Sequence, residues 1–391
     1  MKYYPEVIGL LNEEKAVEFL QEVIKLNTTN PPGQEKALAQ LIADKLEQHG
    51  INSTVDDLGN NRGNVIASIK GSKEKKTLFL NGHLDVVPPG EIPWKYDPFA
   101  AVIEDGKLFG RGASDMKGGL AALVIAMCLI SEAGVSLKGD LLFAGSAGEE
   151  VDCLGAIDLL NKGYLQDVGA AVIAEPSNLK IFSATKGALW LEFTAQGKTS
   201  HGSMPQYGNN AILQINGLVN ELTNYRFKYQ QHNLLGNPTI NIATIKGGVK
   251  TNVVPDSCVL TVDIRTVPGQ SHQEIIQDIF AILEQLKYEF PGFDVKLKIL
   301  NNHEAVETTK ESPFLQLGIK TAQEVLGLHI ETQGVNYYTD ASVFIPTLGI
   351  PVIIFGPGDE KLAHQPDEYV EVSKYIDSIK YYTALILNYL T

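Results

Sequence analysis

The sequence predicts an α/β fold, a mostly parallel sheet flanked by helices, interrupted by a smaller inserted α+β domain. Three observations carry this reading. Helical and strand patterns alternate up to about Ile181, the order then changes to β-α-β-β-α-β, and alternation resumes after about residue 301. The boundaries drawn are 1–181 for the first part of the main domain, 182–301 for the insert and 302–391 for the second part.

Each element has a local reason. In NEEKAVEFLQEVIKL apolar residues recur at helical spacing, and 34–49 repeats the pattern before Gly50, a suitable helix stop. Short apolar runs at 64–69, 77–80, 140–144 and 170–174 read as strands, with a helix over 118–133 between them. Strands separated by helices make a sheet covered on both faces. The insert reads as strand 187–195, helix 209–222, strands 239–246 and 257–265, helix 271–289 and strand 294–300, which is the ferredoxin-like split order. Helix 314–326, strand 350–355 and a closing helix over 372–390 return the chain to the main domain.

Composition narrows the partners. The 391 residues carry 32 Lys plus Arg against 46 Asp plus Glu, a formal charge of −14. Such a surface repels nucleic acid and anionic membranes, and no basic patch offsets it, since the densest basic stretch, 73–76, is broken by Glu74. The longest apolar run, 120–130, is too short to span a bilayer, and the first residues lack a signal-peptide core, so the expected location is cytoplasmic. Cys128, Cys153 and Cys258 stand far apart, form no CxxC pair and read as small core residues.

Acidic and imidazole residues gather at strand ends. LFLNGHLD places His83 and Asp85 just past a strand, on one side of the chain, where one can bind a metal and the other orient it. GRGASDMKGG holds Asp115 in a glycine-rich loop before a helix. A phosphate cradle is disfavoured there: GxxxxGK[ST] is absent, Asp115 stands where GxGxxG needs its third glycine, and a carboxylate repels phosphate. LLFAGSAGEE supplies Glu149 and Glu150, which alone read equally well as solvated glutamates at a helix start. VIAEP adds Glu175, and FGPGDEKLAHQPDEY adds His364 in a Gly/Pro-rich loop. Charges directly after apolar strands are costly to bury unless they coordinate something. Imidazoles with carboxylates suit zinc, with cobalt or manganese as alternatives, and two ions about 3.5–4 Å apart need a bridging carboxylate, for which Asp115 in its constrained loop is the natural candidate.

Taken in order, GHLDVVP, GRGASDMKGG, AGEE, AEP, KTSHGSMP and GPGD…AHQPDEY resemble the di-zinc metallopeptidase superfamily of aminoacylases, acetylornithine deacetylases, succinyl-diaminopimelate desuccinylases and glutamate carboxypeptidases. The resemblance runs from about residue 80 to 370. It implies that His83 and Glu175 bind one metal, that Glu150 and His364 bind the other, and that Asp115 bridges them through a cis peptide to Met116. It further implies that Asp85 steadies the His83 ring and that Glu149 is the general base for a water between the metals. On the insert, His201 would help hold a developing oxyanion, Asn252 and Arg265 would bind a substrate carboxylate, and the insert would act as a lid and dimerisation domain in a homodimer. Without the resemblance, His201 reads as a surface polar residue, Asn252 as a turn cap and Arg265 as a partner of Asp263 or Glu221.

The expected activity is therefore hydrolysis of the amide bond of N-acyl amino acids, of the deacetylase or desuccinylase type, on small molecules or short peptides with a free carboxylate. A metallo-carboxypeptidase or dipeptidase with the same centre is the alternative, and Glu175, where aminopeptidase relatives tend to carry Asp, tilts toward deacylases and carboxypeptidases. A binding protein that kept only the fold would have lost a ligand or the base; none is lost here. Two departures stand out. Gly148 precedes the Glu pair where the family often has an acidic residue, and QGVNYYTDAS keeps Thr339 and Asp340 as substrate contacts but introduces the bulkier Tyr337 and Tyr338. His49, His232, His272, His303 and His329 lie outside the motifs and read as ordinary residues.

Overall fold

The structure, a computed structural model, describes residues 3–329 and 331–391. The chain divides into two compact units, one made of Met1–Ser183, Glu307–Gln333 and Thr339–Thr391, the other of Ala184–Val306 and Gly334–Tyr338. Residues 302–306 and 334–338, expected in the main domain, belong to the second unit. The reason is local: strand Val295–His303 stays paired with Gly187–Gln196 to its last residue, across a shift between Ile299 and Asn301, and Tyr338 stacks on His303 and meets Trp190 edge-on.

In the first unit, Leu141–Ser146, Thr77–His83, Val168–Ile173 and Val352–Ile354 lie side by side and parallel. All residues of Thr77–His83 and Leu141–Ser146 are buried, as both-faced coverage by helices requires. One flank turns antiparallel, where Arg62–Ile69 pairs with Leu141–Ser146 on one side and Asn52–Gly59 on the other. Asn52–Gly59 carries no apolar run and is half exposed, so its sequence pattern hid it. A further small sheet of Val102–Glu104, Lys107–Phe109 and Tyr369–Glu371 joins distant segments.

The helix Lys117–Glu132 is buried from Lys117 to Ile130 and packs against the helices Glu13–Lys25 and Val372–Leu390 and the strand Thr77–His83. Its first turn reaches the sheet because Gly119 has no side chain: a Cβ there would lie 2.0 Å from the Ala174 carbonyl oxygen. The contact fixes the start of this helix, just after Asp115, against the chain that leads into Glu175. Cys128, Cys153 and Cys258 are free and buried. Among the described residues no helix is long and apolar enough to cross a membrane.

The second unit is a four-stranded antiparallel sheet ordered Thr239–Gly247, Ser257–Thr266, Gly187–Gln196 and Val295–His303, with helices Ala211–Asn224 and His272–Glu289. The helix starts follow their caps: Asn210 accepts the backbone N–H of Ile212, and Ser271 that of Glu274. Along Gly187–Gln196 the residues Leu189, Leu191, Phe193 and Ala195 point to a core shared with Ile215, Leu218, Ile279 and Leu283. The intervening Trp190, Glu192 and Thr194 are less buried, which is the period-two pattern of a half-covered sheet.

Candidate metal centre

His83 closes its strand, Glu149 and Glu150 follow Leu141–Ser146, Glu175 follows Val168–Ile173, His364 follows Val352–Ile354, and Asp115 lies two residues before Lys117–Glu132. All sit beyond the carboxyl ends of parallel strands or at a helix start, where open α/β sheets place their sites. The structure gathers them into two groups, His83 with Asp115 and Glu175, and Asp115 with Glu150 and His364. Within each group one ligand atom per residue lies within 4.8 Å of the others, and Asp115 belongs to both. His83 Nε2 is 3.2 Å from Asp115 Oδ1 and 4.0 Å from Glu175 Oε2, while His364 Nε2 is 3.1 Å from Glu150 Oε2 and 3.5 Å from Asp115 Oδ2. The Asp115–Met116 peptide is cis.

The tautomer of His83 follows from its surroundings. Its Nδ1 lies 3.0 Å from the Asp85 main-chain carbonyl oxygen, an acceptor, so Nδ1 carries the hydrogen and Nε2 offers its lone pair to the group. The Asp85 carboxylate has another task. Its Oδ1 is 3.7 Å from the ring but accepts the N–H of Gly148 at 3.0 Å and of Glu149 at 3.1 Å; Oδ2 accepts Glu150 N–H at 3.3 Å and Asn30 Nδ2 at 2.9 Å. The backbone carbonyl of Asp85 thus meets the His83 ring, and its carboxylate holds the turn that bears the Glu pair.

The electrostatics call for cations. Burial pushes the Glu149 carboxyl well above its usual range, with the Glu175 charge adding to it. Burial does the same to Glu175, against the pull of His83. Glu150 is raised by burial and by Asp115. Asp115 is held low despite burial by the adjoining His364 and His83 imidazoles, and the His364 ring is raised to about 10 by Asp115 and Glu150. Among the described residues the ion-pair partners of Asp115, Glu150 and Glu175 are these two histidines, with no Lys or Arg. Nearby carboxylates with only two imidazoles to offset them, donors already converging, fit a pair of divalent cations.

The sequence profile described as Peptidase family M20/M25/M40 matches residues 79–388. The chain belongs to this family. It is a hydrolytic enzyme. A probable succinyl-diaminopimelate desuccinylase of Staphylococcus epidermidis is 29% identical over 410 aligned positions, covering 97% of this chain and 99% of that protein. Another of that name from Staphylococcus aureus is 30% identical over 412, covering 97% and 98%. Among solved structures, an M20 family metallo-carboxypeptidase from Sulfolobus solfataricus superposes with a TM-score of 0.80 at 21% identity, over 96% of this chain and 99% of that one. A Bacillus subtilis protein described as a dinuclear metal-binding peptidase of the M20 family superposes at 0.73 and 18%, over 96% and 97%.

The remaining expected residues of this M20/M25/M40 chain fall elsewhere. His201, Asn252 and Arg265 lie on the second unit. His201 is exposed with Nδ1 2.8 Å from Ser203 Oγ, and the carbonyl of the exposed Asn252 accepts Gly202 N–H at 2.9 Å. Arg265 pairs with Asp263 at 2.9 Å and lies over the Trp190 ring. Thr339 and Asp340 are 0% and 1% exposed. Asp340 accepts the Ser146 hydroxyl, and Thr339 Oγ1 accepts Ala341 N–H at 3.1 Å; both support the walls behind the Glu pair. Sequence reasoning missed Arg62, Glu35, Arg111 and Glu368. Glu35 and Arg62 form an ion pair at 3.0 Å, and the Arg62 guanidinium reaches toward Asp152 beside the Glu-pair turn.

Proposed function

We propose that this chain hydrolyses the amide bond of N-acyl amino acids, of the deacetylase or desuccinylase type, with two divalent cations. His83, Asp115 and Glu175 would hold one cation and Asp115, Glu150 and His364 the other, with zinc the best match to the donors and cobalt or manganese also accommodated. The observation that carries the reading is the carboxylate of Asp115 joining both groups. Bound cations supply Lewis acidity, which makes an amide carbonyl more electrophilic and a water more acidic. The residues do the rest. Glu149 belongs to neither group, is 7% exposed, and has a carboxyl made more basic by burial and by Glu175, so it takes a proton from the attacking water and returns one to the leaving amine. Asp85 keeps Glu149 in place through the backbone N–H groups of the turn. The motif likeness assigns His201 as an oxyanion donor, Asn252 and Arg265 as contacts for a substrate carboxylate, and the second unit as the surface of a homodimer.

The name of the staphylococcal relatives supports a deacylase, and that of the Sulfolobus protein favours carboxypeptidase action as the second reading. A panel separates them: N-acetyl and N-succinyl amino acids, N-blocked dipeptides and free dipeptides, with zinc, cobalt or manganese supplied. We expect N-acyl amino acids to be cleaved, and Glu149→Gln to lose on the order of 10²–10⁴-fold in rate while retaining its metal. Cleavage confined to unblocked peptides would remove the deacylase reading, and full activity in Glu149→Gln would remove its role as base.

A further inference from the structure

We propose that Glu368, paired with Arg111, is the positioning residue that sets Asp115 between the two candidate cation groups. This rests on the two-cation reading above and adds a residue that no ligand pattern marks. Glu368 is fully buried, and its carboxylate is used on both sides. Oε1 accepts the backbone N–H of Ser114 at 2.8 Å and of Asp115 at 2.9 Å. Oε2 accepts the N–H of Gly112 at 3.0 Å and Arg111 Nη1 at 2.6 Å. Charge-assisted bonds of this kind are the strong ones, and three of them end on the short loop whose last residue is Asp115.

Arg111 extends the grip. It is 1% exposed, lies with its guanidinium carbon 5.0 Å from the Trp94 ring, and donates to the carbonyls of Gln365 at 3.3 Å and Pro88 at 3.4 Å. Gln365 directly follows His364, and Glu368 comes from the same segment. One buried ion pair therefore ties the backbone of Asp115 to the chain that presents His364. Asp115 is the residue where such a brace matters most. Its two oxygens face different imidazoles, Oδ1 toward His83 and Oδ2 toward His364, so a tilt that helps one group opens the other. A buried ion pair is by itself a weak source of stability. The direction of its bonds, into the loop of the shared carboxylate, points to placement.

Glu368→Gln keeps the shape but replaces one acceptor oxygen by an amide donor, which then faces N–H groups. The test is titration of the metal-free protein with Co(II) alone, read by calorimetry and by visible absorption. Wild type takes up two ions. In Glu368→Gln both binding steps weaken together, each by about 10–100-fold, with an altered absorption band, because Asp115 serves both groups. His364→Ala loses one step. If Glu368→Gln does not fold, Arg111→Lys, which keeps a positive charge but not the planar fork, must shift both steps in the same direction. A folded variant that melts earlier yet binds two Co(II) ions with the affinity and spectrum of wild type overturns the proposal and leaves the two-cation reading standing. Wild type that takes up no Co(II) overturns both.

Discussion

His303 is a side chain whose titration is set by packing. It is 7% exposed, its ring stacks on Tyr338 at 4.6 Å, and burial together with the neighbouring His272 pushes its pKa down to about 4 from 6.5. In the unfolded chain the ring takes up a proton near pH 6.5, while the folded chain refuses it until about pH 4. Its folded pKa is depressed, so the stability it contributes is present above pH 6.5 and is lost as the pH falls toward 4. His303→Phe keeps a stacked ring and cannot titrate. Its melting temperature should fall less than that of wild type between neutral pH and pH 4.5, a range taken as roughly that window. Parallel curves would show that His303 titrates as an ordinary histidine. Which side chains could be read ahead of the structure also divides at this scale. His83, Glu175 and His364 were legible because polar, ionisable groups after apolar strands are chemically out of place, and Asp115 because a carboxylate in a glycine-rich loop suits a cation. Glu368 and the carboxylate of Asp85 were not, because their partners are main-chain N–H groups, which carry no residue identity.

Among the elements, the turn between Leu141–Ser146 and the short helix Leu154–Asn161 is the most exacting. Gly148 takes φ +86°, and a Cβ there would lie 2.3 Å from Arg62 Nη2 and 2.7 Å from Asp152 Oδ1. Arg62, held by buried Glu35, fills the space beside Gly148, so the turn is braced from a different strand. Gly148→Ala combines left-handed strain with displacement of Arg62, for a loss of about 1–3 kcal/mol in chemical denaturation and a fall in activity as Glu149 shifts. Unchanged stability would mean that Arg62 yields freely. Long elements were legible, Glu13–Lys25 and Val372–Leu390 by their period and Lys117–Glu132 by its long apolar run. The short helices Leu154–Asn161 and Ala341–Leu348 and the strands Val102–Glu104, Lys107–Phe109 and Tyr369–Glu371 were not, since so few residues establish no period and their pairing partners are distant in sequence.

For the whole molecule, the proposed homodimer has a specific physical basis in the second unit. Thr239–Gly247 ends its sheet, so one side of its backbone faces away from the ladder, and Ile245 on it is 54% exposed. Sedimentation equilibrium should give twice the chain mass, and Ile245→Asp should shift it toward the single chain; a single-chain mass for wild type would remove the dimer. The alternation that predicted a main domain with an insert was legible because each half switches its hydrophobic period. The return of 334–338 to the second unit was not, because it depends on Tyr338 stacking with His303, a contact between residues far apart in the chain.

The strand Val352–Ile354, made late, completes the parallel centre beside Val168–Ile173, and all of the second unit is synthesised between them. A nascent chain on the ribosome can therefore finish most of its inner unit while the outer one still lacks a central strand and His364. Translation that stalls before residue 364 leaves a polypeptide that holds His83, Asp115 and Glu175 but lacks His364, so the second candidate group is complete only once that late segment is made.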